Sequence, residues 1–265
     1  MRLERVFDVN GAVALVTGAA SGLGLAFVEA MAENGAAVLL TDVDSRALER
    51  ETARLRAMGA DVAFEVLDVA DEAALAAAFE ALFKKRGRLD AVFANVGVSA
   101  GPGFQTAESG RLENVDYAIF DRVLAVNLRA TVQTMALAAE RMKPQRKGSI
   151  IVTASIAGLR AEPLCGYAYA ATKAAVCNVV RQAAAELGPY NVRVNAIAPG
   201  PFLTNIAGGR LHRDPETVRL FADAVPLGRI AHPDEIKGLA LLLASGAGSF
   251  ITGAVIPIDG GTTAV

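Results

Sequence analysis

The segment Ala12-Val-Ala-Leu-Val16, followed at once by Thr17-Gly-Ala-Ala-Ser-Gly-Leu-Gly24, decides how this chain is expected to fold. The continuously apolar run is typical of a strand buried on both faces of a parallel sheet. The glycine-rich segment opens an Ala-rich stretch that predicts a helix to about Asn34. Glycines allow close backbone approach, and the amides at a helix N-terminus attract a pyrophosphate. This order predicts a nucleotide-binding unit, with a glycine-rich turn that binds nothing as the alternative.

A second buried strand is predicted at 35–42, and it ends in a carboxylate. Asp42 lies 18 positions after Gly24, close to the offset of an acidic residue that accepts from the adenosine ribose hydroxyls. A ribose 2′-phosphate would meet that carboxylate with a repulsion of up to about 4 kcal/mol. No basic residue in the glycine turn compensates for it, so NAD is expected rather than NADP, although the nearby Arg46 keeps NADP open.

Apolar runs and helical patterns alternate along the rest of the chain. Strands are predicted at 62–67, 88–94, 149–155, 192–198 and 254–258. Helices are predicted at 44–58, 115–142 and 233–244. One more helix is predicted to begin after a capping Asp71, and another to end near Gly188, whereas 143–148 is expected to be a basic turn. This alternation predicts a doubly wound, mainly parallel α/β sheet of about seven strands, with helices on both faces in three α/β/α layers.

Composition limits the classes of protein that this chain can belong to. Its 265 residues, 53% of them apolar and with a net charge of −2, predict one domain over 1–265 and no nucleic-acid partner. The two cysteines are too few for a disulfide framework. With only two histidines the chain also has few soft metal ligands, so we expect no metal site. The N-terminus lacks the apolar core of a signal peptide, and no apolar run approaches the roughly 20 residues of a membrane span. A cytoplasmic protein without membrane contact is expected.

A possible acid/base pair lies in the segment Tyr169-Ala-Ala-Thr-Lys173. A spacing of four places the phenol and the ammonium on one helix face. A tyrosine that exchanges protons near neutrality needs a pKa lowered by about two or three units, and one ammonium at about 4 Å contributes enough. A chance Y-x-x-x-K, with a core-edge tyrosine beside a surface lysine, is the alternative.

Three further polar positions stand out. Asn127 lies inside an apolar helical sequence, where its amide must be hydrogen-bonded, either structurally or catalytically. Ser155 follows the fifth strand, at the edge where ligands of such sheets bind, although it could merely cap a turn. Asp68 follows the third strand and could meet the adenine amino group, and 95–97 closes the fourth strand.

Together these residues resemble the short-chain dehydrogenase/reductase family, in its single-domain branch, over essentially the whole chain. The resemblance rests on Thr17, Gly18, Gly22, Gly24, Asp42, Asp68, Val69, Asn95, Gly97, Asn127, Ser155, Tyr169, Lys173, Pro199, Gly200, Thr204 and 259–261. Any one of these is weak alone, and their joint order and spacing carry the likeness.

The resemblance implies an oxidoreductase that transfers a hydride between NAD and a secondary alcohol or ketone. Tyr169 would be the general acid/base, Ser155 would bind the substrate oxygen, and Lys173 would lower the tyrosine pKa and hold the nicotinamide ribose. Asn127 would anchor a water in the proton relay, and Thr204 would contact the nicotinamide end. The other implied cofactor-binding residues are Gly18, Ser21, Gly22, Leu23, Gly24, Asp42, Asp68, Val69, Asn95, Gly97, Pro199 and Gly200. The family also suggests a homotetramer or a homodimer.

Two departures from the family pattern stand out. Ala94-Asn95-Val96-Gly97 replaces Asn-Asn-Ala-Gly, which removes one amide from the end of the fourth strand. Ser155 and Tyr169 are 14 apart, where about 13 is usual in the family, and Tyr167 offers a second phenol. Only Tyr169 has a lysine four positions later, so Tyr167 is interpreted as a pocket wall or packing residue.

The substrate region and the activity keep alternatives open. A lid is predicted at about 200–226, and 98–114 is expected to border a pocket. Arg210, His212 and Arg213 could clamp an anionic substrate or simply be surface, and Cys165 could line the pocket or pack. An NADPH-linked reductase of 3-oxoacyl thioesters and a non-catalytic nucleotide sensor are the alternative functions.

Overall fold

The structure is a computed structural model that describes residues 3–206 and 208–265. Its centre is one seven-stranded sheet in which every neighbouring pair of strands is parallel. Strands buried on both faces form continuous apolar runs, which is why the sequence pattern located them. The strands are β1 (Val13–Thr17), β2 (Ala37–Asp42), β3 (Val62–Val66), β4 (Ala91–Ala94), β5 (Gly148–Thr153), β6 (Val192–Pro199) and β7 (Val255–Ile258).

The helices connect these strands. They are α1 (Leu3–Val6), α2 (Gly22–Ala32), α3 (Ser45–Ala57), α4 (Glu72–Arg86), α5 (Tyr117–Val123), α6 (Ala130–Gln145), α7 (Tyr167–Leu187), α8 (Arg210–Arg213), α9 (Pro215–Asp223) and α10 (Lys237–Ala244). Asp71 caps α4 by accepting from the amides of Ala73 and Ala74, as predicted. No helix among the described residues is long and apolar enough to cross a membrane.

Two hydrophobic clusters show that helices cover both faces of the sheet. Val13 and Leu15 of β1 pack in one cluster with buried residues of α4, α6 and α7. Ala14 and Val16, which point to the opposite face, pack in the other cluster with residues of α2, α3 and α10. The predicted doubly wound, three-layer α/β/α fold is confirmed.

The strand order creates a crevice at the centre of the sheet. It is β3-β2-β1-β4-β5-β6-β7, so successive strands are added outward in opposite directions from β1 and β4. In open α/β sheets, ligands bind outside the carboxyl ends of the strands at such a switch point. Thr17 ends β1 and Ala94 ends β4, which places the glycine turn and Asn95 together there.

The predicted helix at 115–142 is the element that differs most from the structure. It begins at Tyr117 and contains a π-helical segment, Leu124–Arg129, between α5 and α6. It also continues to Gln145, so the prediction of a turn over 143–148 is wrong for its first three residues. Pro144 is accommodated in the last turn of α6, and Arg146 ends the helix in the left-handed conformation with φ of 51°.

The other boundaries differ by a few residues. β4 begins at Ala91 rather than at 88, and the Asp90 carboxylate just before it accepts from the Val13 amide at 2.9 Å. β5 ends at Thr153, two residues before Ser155. The predicted helix at 233–244 begins with a 3-10 turn, Pro233–Ile236.

Candidate active site

The glycine turn between β1 and α2 has a backbone suited to a phosphate group. Gly18 and Gly22 have positive φ of 66° and 54°. A Cβ on Gly24 would overlap the Gly18 carbonyl oxygen, so only glycine lets α2 start this close to β1. Ser21 is the N-cap, but its side chain caps no amide, and Leu23 packs half-buried against the core. The amides of the first turn therefore lack a side-chain partner, which suits them to bind an anion.

Asn95 ties the glycine turn to the neighbouring strands. Its Nδ2 donates to the carbonyl oxygens of Thr17 and Gly18 at 3.1 and 3.2 Å, and its Oδ1 accepts from the Thr153 hydroxyl at 2.9 Å. Its backbone amide donates to the Thr17 hydroxyl at 3.0 Å. Asn95 thus joins β1, β4 and β5 at their carboxyl ends, and its bonds to two carbonyl oxygens help to fix the backbone of the glycine turn.

Asp42 lies at the end of β2 beside the glycine turn. Its Oδ2 accepts from the Ala20 amide at 3.0 Å, and its Oδ1 accepts from the Asp44 amide at 3.1 Å. These bonds fix the carboxylate next to the turn and leave lone pairs for a hydroxyl donor. Arg46 is exposed on the first turn of α3 and makes no ion pair with any described residue.

The residues after β3 lie at the same edge of the sheet. The Leu67 amide donates to the Asp42 carbonyl oxygen at 3.0 Å, which holds this segment next to Asp42. Asp68 is exposed, and its Oδ1 accepts from the Ala70 amide at 2.9 Å. The side chain of Val69 is buried in the core, so this residue supports the segment from beneath.

These features fit a dinucleotide. The glycine turn offers backbone amides without side-chain partners, and the Cβ that any other residue would add at Gly24 is sterically excluded. Asp42 supplies a fixed acceptor at the end of the next strand, as ribose recognition requires. The structure brings these predicted cofactor residues together along one edge of the sheet.

Thr204 is placed against the glycine turn by the segment that follows β6. Pro199 ends β6, and the Gly200 amide donates to the Ile258 carbonyl oxygen at 3.0 Å, which turns the chain across the edge of the sheet. A Cβ on Gly22 would lie 3.2 Å from Cγ2 of Thr204. Both residues line a cleft of about 370 Å³ that also contains the chain's two histidines, His212 and His232.

Tyr169 and Lys173 lie on the first turns of α7, on the face that packs against the sheet. The Nζ atom of Lys173 lies 5.6 Å from the centre of the Tyr169 ring. The same Nζ donates to the Thr153 carbonyl oxygen at 2.6 Å, and the lysine is 2% exposed. A buried lysine beside a phenol is not the surface residue of a chance Y-x-x-x-K pattern.

The predicted lowering of the tyrosine pKa by Lys173 is wrong for this structure. Burial raises the pKa of Tyr169 to about 12; the Ser155 hydroxyl, close enough to hydrogen-bond the phenol, opposes this rise, and the Cys165 thiol adds to it. Burial also lowers the pKa of Lys173 to about 8. The ammonium is directed at the Thr153 carbonyl, so burial rather than the positive charge governs the phenol.

Ser155 lies between β5 and α7, close to the phenol. It is 8% exposed, and its hydroxyl oxygen accepts from the Ala157 amide at 3.2 Å. It therefore caps the short 3-10 turn Ile156–Gly158, which is the structural alternative predicted from the sequence. It also interacts with Tyr169, and its binding of a substrate oxygen stays a prediction.

Asn127 lies in the π-helical segment and is fully buried. Its Oδ1 accepts from the Val98 amide at 2.8 Å, and its Nδ2 donates to the Val98 carbonyl oxygen at 3.0 Å. A Cβ on Gly97 would lie 3.4 Å from Nζ of Lys173 and 3.8 Å from Oδ1 of Asn127. The side-chain amide of Asn127 thus fixes the segment after β4 next to Lys173. This is the structural hydrogen bond that the sequence analysis gave as one of two alternatives for Asn127.

The sequence interpretation missed Thr153 and Val98 as contributors to this site, and it gave no role to the hydroxyl of Thr17. Thr153 provides the carbonyl that receives Lys173 and the hydroxyl that holds Asn95. The Thr17 hydroxyl and the Val98 backbone position Asn95 and Asn127. Backbone partners leave no sequence signal, whereas a threonine two residues before Ser155 at the carboxyl end of a strand could have been noticed.

Other residues at the site have simpler roles. Cys165 forms a β-bridge with Pro102, and burial raises the pKa of its thiol to about 12. Tyr167 starts α7 and is 37% exposed. Arg213 is exposed and donates to the carbonyl oxygens of Gly208 and Gly209 in its own loop, and the side chain of Arg210 lies outside the described residues. No group of three or more His, Cys, Asp or Glu in the described ranges could hold a metal ion.

Known proteins resemble this chain over nearly its full length. A family model described as enoyl-(acyl carrier protein) reductase matches residues 18–263. The cyclohexanol dehydrogenase of Rhodococcus sp. (strain TK6) is 36% identical over 268 residues, which cover 96% of this chain and 97% of that protein. The chain belongs to the short-chain dehydrogenase/reductase family.

Other short-chain dehydrogenases/reductases extend the comparison. The 3-oxoacyl-(acyl-carrier-protein) reductase of Thermotoga maritima is 35% identical, with 98% of this chain and 99% of that protein covered. The crystal structure of levodione reductase superposes with a TM-score of 0.88 at 33% identity, over 97% of this chain and 99% of that one. The family places this chain among oxidoreductases that interconvert alcohols and ketones with a nicotinamide cofactor.

Proposed function

We propose that this protein transfers a hydride between NAD and a secondary alcohol or its ketone, with Tyr169 as the general acid/base. The observation that carries the proposal is the meeting of Tyr169, Ser155 and buried Lys173 at the end of β5. This group lies at the same edge of the sheet as the glycine turn, to which Asn95 connects it through Thr153. The bound nicotinamide would accept or supply the hydride.

The chain's own residues handle the proton and the position of the substrate. Ser155 holds the substrate oxygen, and the Tyr169 phenol exchanges a proton with that oxygen. Lys173, directed by the Thr153 carbonyl, provides the second titrating group and reaches the nicotinamide ribose. The side-chain amide of Asn127 bonds the Val98 backbone and so positions the chain beside Lys173. Because that amide is already paired, another group of Asn127 would anchor the water of the proton relay.

The remaining cofactor contacts follow the edge of the sheet. Gly18, Ser21, Gly22, Leu23 and Gly24 form the phosphate turn, and Asp42 accepts from the ribose hydroxyls. Asp68 and Val69 border the adenine, and Asn95 and Gly97 lie beneath the dinucleotide. Pro199, Gly200 and Thr204 approach the nicotinamide end. The Asp42 carboxylate, fixed by two amides, favours NAD over NADP because a 2′-phosphate would meet a negative charge.

The substrate is proposed to be a small, apolar secondary alcohol such as a cyclic one. The similarity to cyclohexanol dehydrogenase supports this class. The segment at about 200–226, which we propose as the lid, contributes apolar side chains: Phe202 and Leu211 are buried, and Leu203 is half-buried. Arg213 is engaged with its own loop, which favours the surface interpretation over an anionic clamp.

One other activity has a specific observation in its favour. The similarity to a 3-oxoacyl-(acyl-carrier-protein) reductase supports an NADPH-linked reductase of 3-oxoacyl thioesters. Asp42 and the absence of a basic residue in the glycine turn count against it. A titration of NADH and NADPH fluorescence separates the two, because tighter binding of NADPH would remove Asp42 as the selector. A non-catalytic nucleotide sensor would bind NADH but turn over no alcohol or ketone.

The protein is further proposed to act as one domain over 1–265, in the cytoplasm and as a homotetramer or homodimer. The buried residues of α7 pack against its own sheet, so the helix face there is already used. Tyr117, Ile119 and Val132, on α5 and α6, expose 75%, 44% and 40% of their surfaces. These apolar residues support an interface between copies, and light scattering that gives a monomer mass would contradict it.

The test of the activity is the growth of NADH absorbance while secondary alcohols are offered with NAD and, separately, with NADP. Cyclic, aromatic and polyol alcohols cover the chemical classes. We expect turnover of cyclic alcohols with NAD and weaker turnover with NADP. No turnover of any alcohol in the panel, with NADH binding demonstrated, would favour the non-catalytic nucleotide sensor.

A further inference from the structure

The residues after β7 fold into a tight turn, which we call the 259–265 turn. Oδ1 of Asp259 accepts from the Gly261 amide at 2.9 Å, and Oδ2 accepts from the Thr263 amide at 2.8 Å. The Thr262 hydroxyl donates to the Asp259 carbonyl oxygen at 2.7 Å. Burial disfavours the charged form, but hydrogen bonds from the Thr263 side chain and from these amides outweigh it and lower the pKa of Asp259. The carboxylate therefore holds the turn in one shape near neutrality.

This turn contacts the chain where the proposed lid begins. A Cβ on Gly200 would lie 2.8 Å from both Cα and Cβ of Asp259. Together with the bond from the Gly200 amide to Ile258, this fixes the path of the chain as it leaves β6. A larger residue at position 200 would push the first lid residues away from the turn.

The same turn contacts the chain where the lid ends. The Leu227 amide donates to the Gly260 carbonyl oxygen at 3.1 Å. Gly260 has φ of 64°, and a Cβ there would lie 2.5 Å from Cγ1 of Val225. A Cβ on Gly261 would lie 3.2 Å from the Pro226 ring. Both ends of the 200–226 segment thus rest on one turn, whereas α9, between them, has no buried residue.

Arg160 connects this turn to the active site. It lies five positions after Ser155, just beyond the 3-10 turn that Ser155 caps. Its Nη1 donates to the carbonyl oxygen of Thr262, and to that of Val265 at 3.2 Å. Its Nε donates to the Ala161 carbonyl oxygen at 3.3 Å. Hydrogen bonds from a charged guanidinium are stronger than those from a neutral donor, and two of them join the exposed Arg160 to the 259–265 turn.

We propose that Arg160 is a positioning residue for substrate specificity. Through the 259–265 turn it fixes both ends of the lid relative to Ser155, and so it sets where the closed lid meets the substrate. The inference rests on the proposed function, because it assigns the lid to an alcohol or ketone substrate. It concerns the substrate side only, since Arg160 has no contact with the glycine turn.

The kinetic test compares Arg160→Ala with Arg141→Ala. Arg141 on α6 donates to Glu80 at 2.7 Å and lies over the Phe83 ring, so it is a well-bonded arginine remote from the 259–265 turn. For Arg160→Ala we expect KM for the alcohol to rise about tenfold, with kcat and the NADH dissociation constant within about twofold. Arg160→Lys, which keeps a donor, restores part of the loss, and Arg141→Ala leaves KM unchanged.

A purely structural role would lower the melting temperature of Arg160→Ala without a selective change in KM, and that result overturns the proposal. Hydrogen exchange of the ligand-free protein gives an independent measurement. We expect faster exchange of the Gly200 and Leu227 amides in Arg160→Ala and no change in Arg141→Ala. If wild type turns over no alcohol or ketone, the proposed function fails, and hydrogen exchange alone then tests whether Arg160 anchors the lid. Unchanged exchange of the Gly200 and Leu227 amides in Arg160→Ala would reject that anchoring.

Discussion

Lys173 is buried and Tyr169 lies half-buried beside it, and desolvation favours the neutral form of each. The pKa of Tyr169 is raised to about 12 and that of Lys173 is lowered to about 8. The first proton therefore leaves Lys173, near pH 8, while the phenol of Tyr169 stays protonated. In the proposed mechanism, neutral Lys173 takes up the proton that Tyr169 passes on as the phenol receives one from the alcohol.

A pH profile follows from this pair. Oxidation needs the deprotonated pair, so kcat/KM for the alcohol should fall about tenfold for each pH unit below about 8. Reduction of the ketone needs the protonated pair and should decline above that pH. Initial rates in both directions across the pH range test this, and a flat profile for oxidation through pH 8 would contradict the assignment.

Asp42 governs the choice of cofactor in this account. Asp42→Ser removes the charge that repels a 2′-phosphate, so the ratio of kcat/KM with NADP to that with NAD should rise about 10- to 100-fold. The exposed Arg46 is then free to approach the phosphate, and adding Arg46→Ala should reverse part of the gain. An unchanged ratio in Asp42→Ser would show that another residue selects the cofactor.

Among the elements, the junction of β1 and α2 depends on one glycine. In Gly24→Ala the new Cβ would overlap the Gly18 carbonyl oxygen and lie 2.7 Å from Nδ2 of Asn95. Either the turn or the helix must shift, so we expect a loss of about 2–4 kcal/mol in the free energy of unfolding and much weaker NADH binding.

Gly238→Ala is the matched control for that substitution. Gly238 also lies in a helix, α10, but a Cβ there meets nothing within 4 Å. Alanine should stabilise the protein by about 0.5–1 kcal/mol, because it restricts the unfolded chain and favours the helix. Urea unfolding and NADH fluorescence measure both variants, and equal effects of the two would contradict the steric argument.

The helix between β4 and β5 shows where sequence patterns stop being informative. Its apolar periodicity predicted one helix, but the segment around Asn127 is π-helical. The amide of Asn127 bonds the Val98 backbone, and π-turns are often found at such functional positions. Periodicity reports which face is buried, and it does not report a local change in backbone hydrogen bonding.

Considering the whole molecule, the sheet and its helices could be predicted from the sequence, because buried parallel strands and amphipathic helices leave strong patterns. The edge that carries Asp42, Asn95, Ser155 and Tyr169 could be predicted as well, since each lies at or just after the end of a strand or in the first turn of a helix. The direction of the pKa shift of Tyr169 could not, because it depends on burial and on the backbone carbonyl that draws Lys173 away. The contact of Arg160 with the 259–265 turn was equally hidden, since it joins segments 102 positions apart through carbonyl oxygens.

The central claim is that Tyr169 exchanges the proton with the substrate. The measurement is the steady-state oxidation of a cyclic secondary alcohol with NAD by wild type, Tyr169→Phe and Tyr167→Phe, with NADH affinity determined for each. We predict that Tyr169→Phe lowers kcat by about 10²- to 10⁴-fold with NADH affinity little changed, whereas Tyr167→Phe stays close to wild type. Unchanged turnover in Tyr169→Phe, or its loss in Tyr167→Phe, would contradict the account.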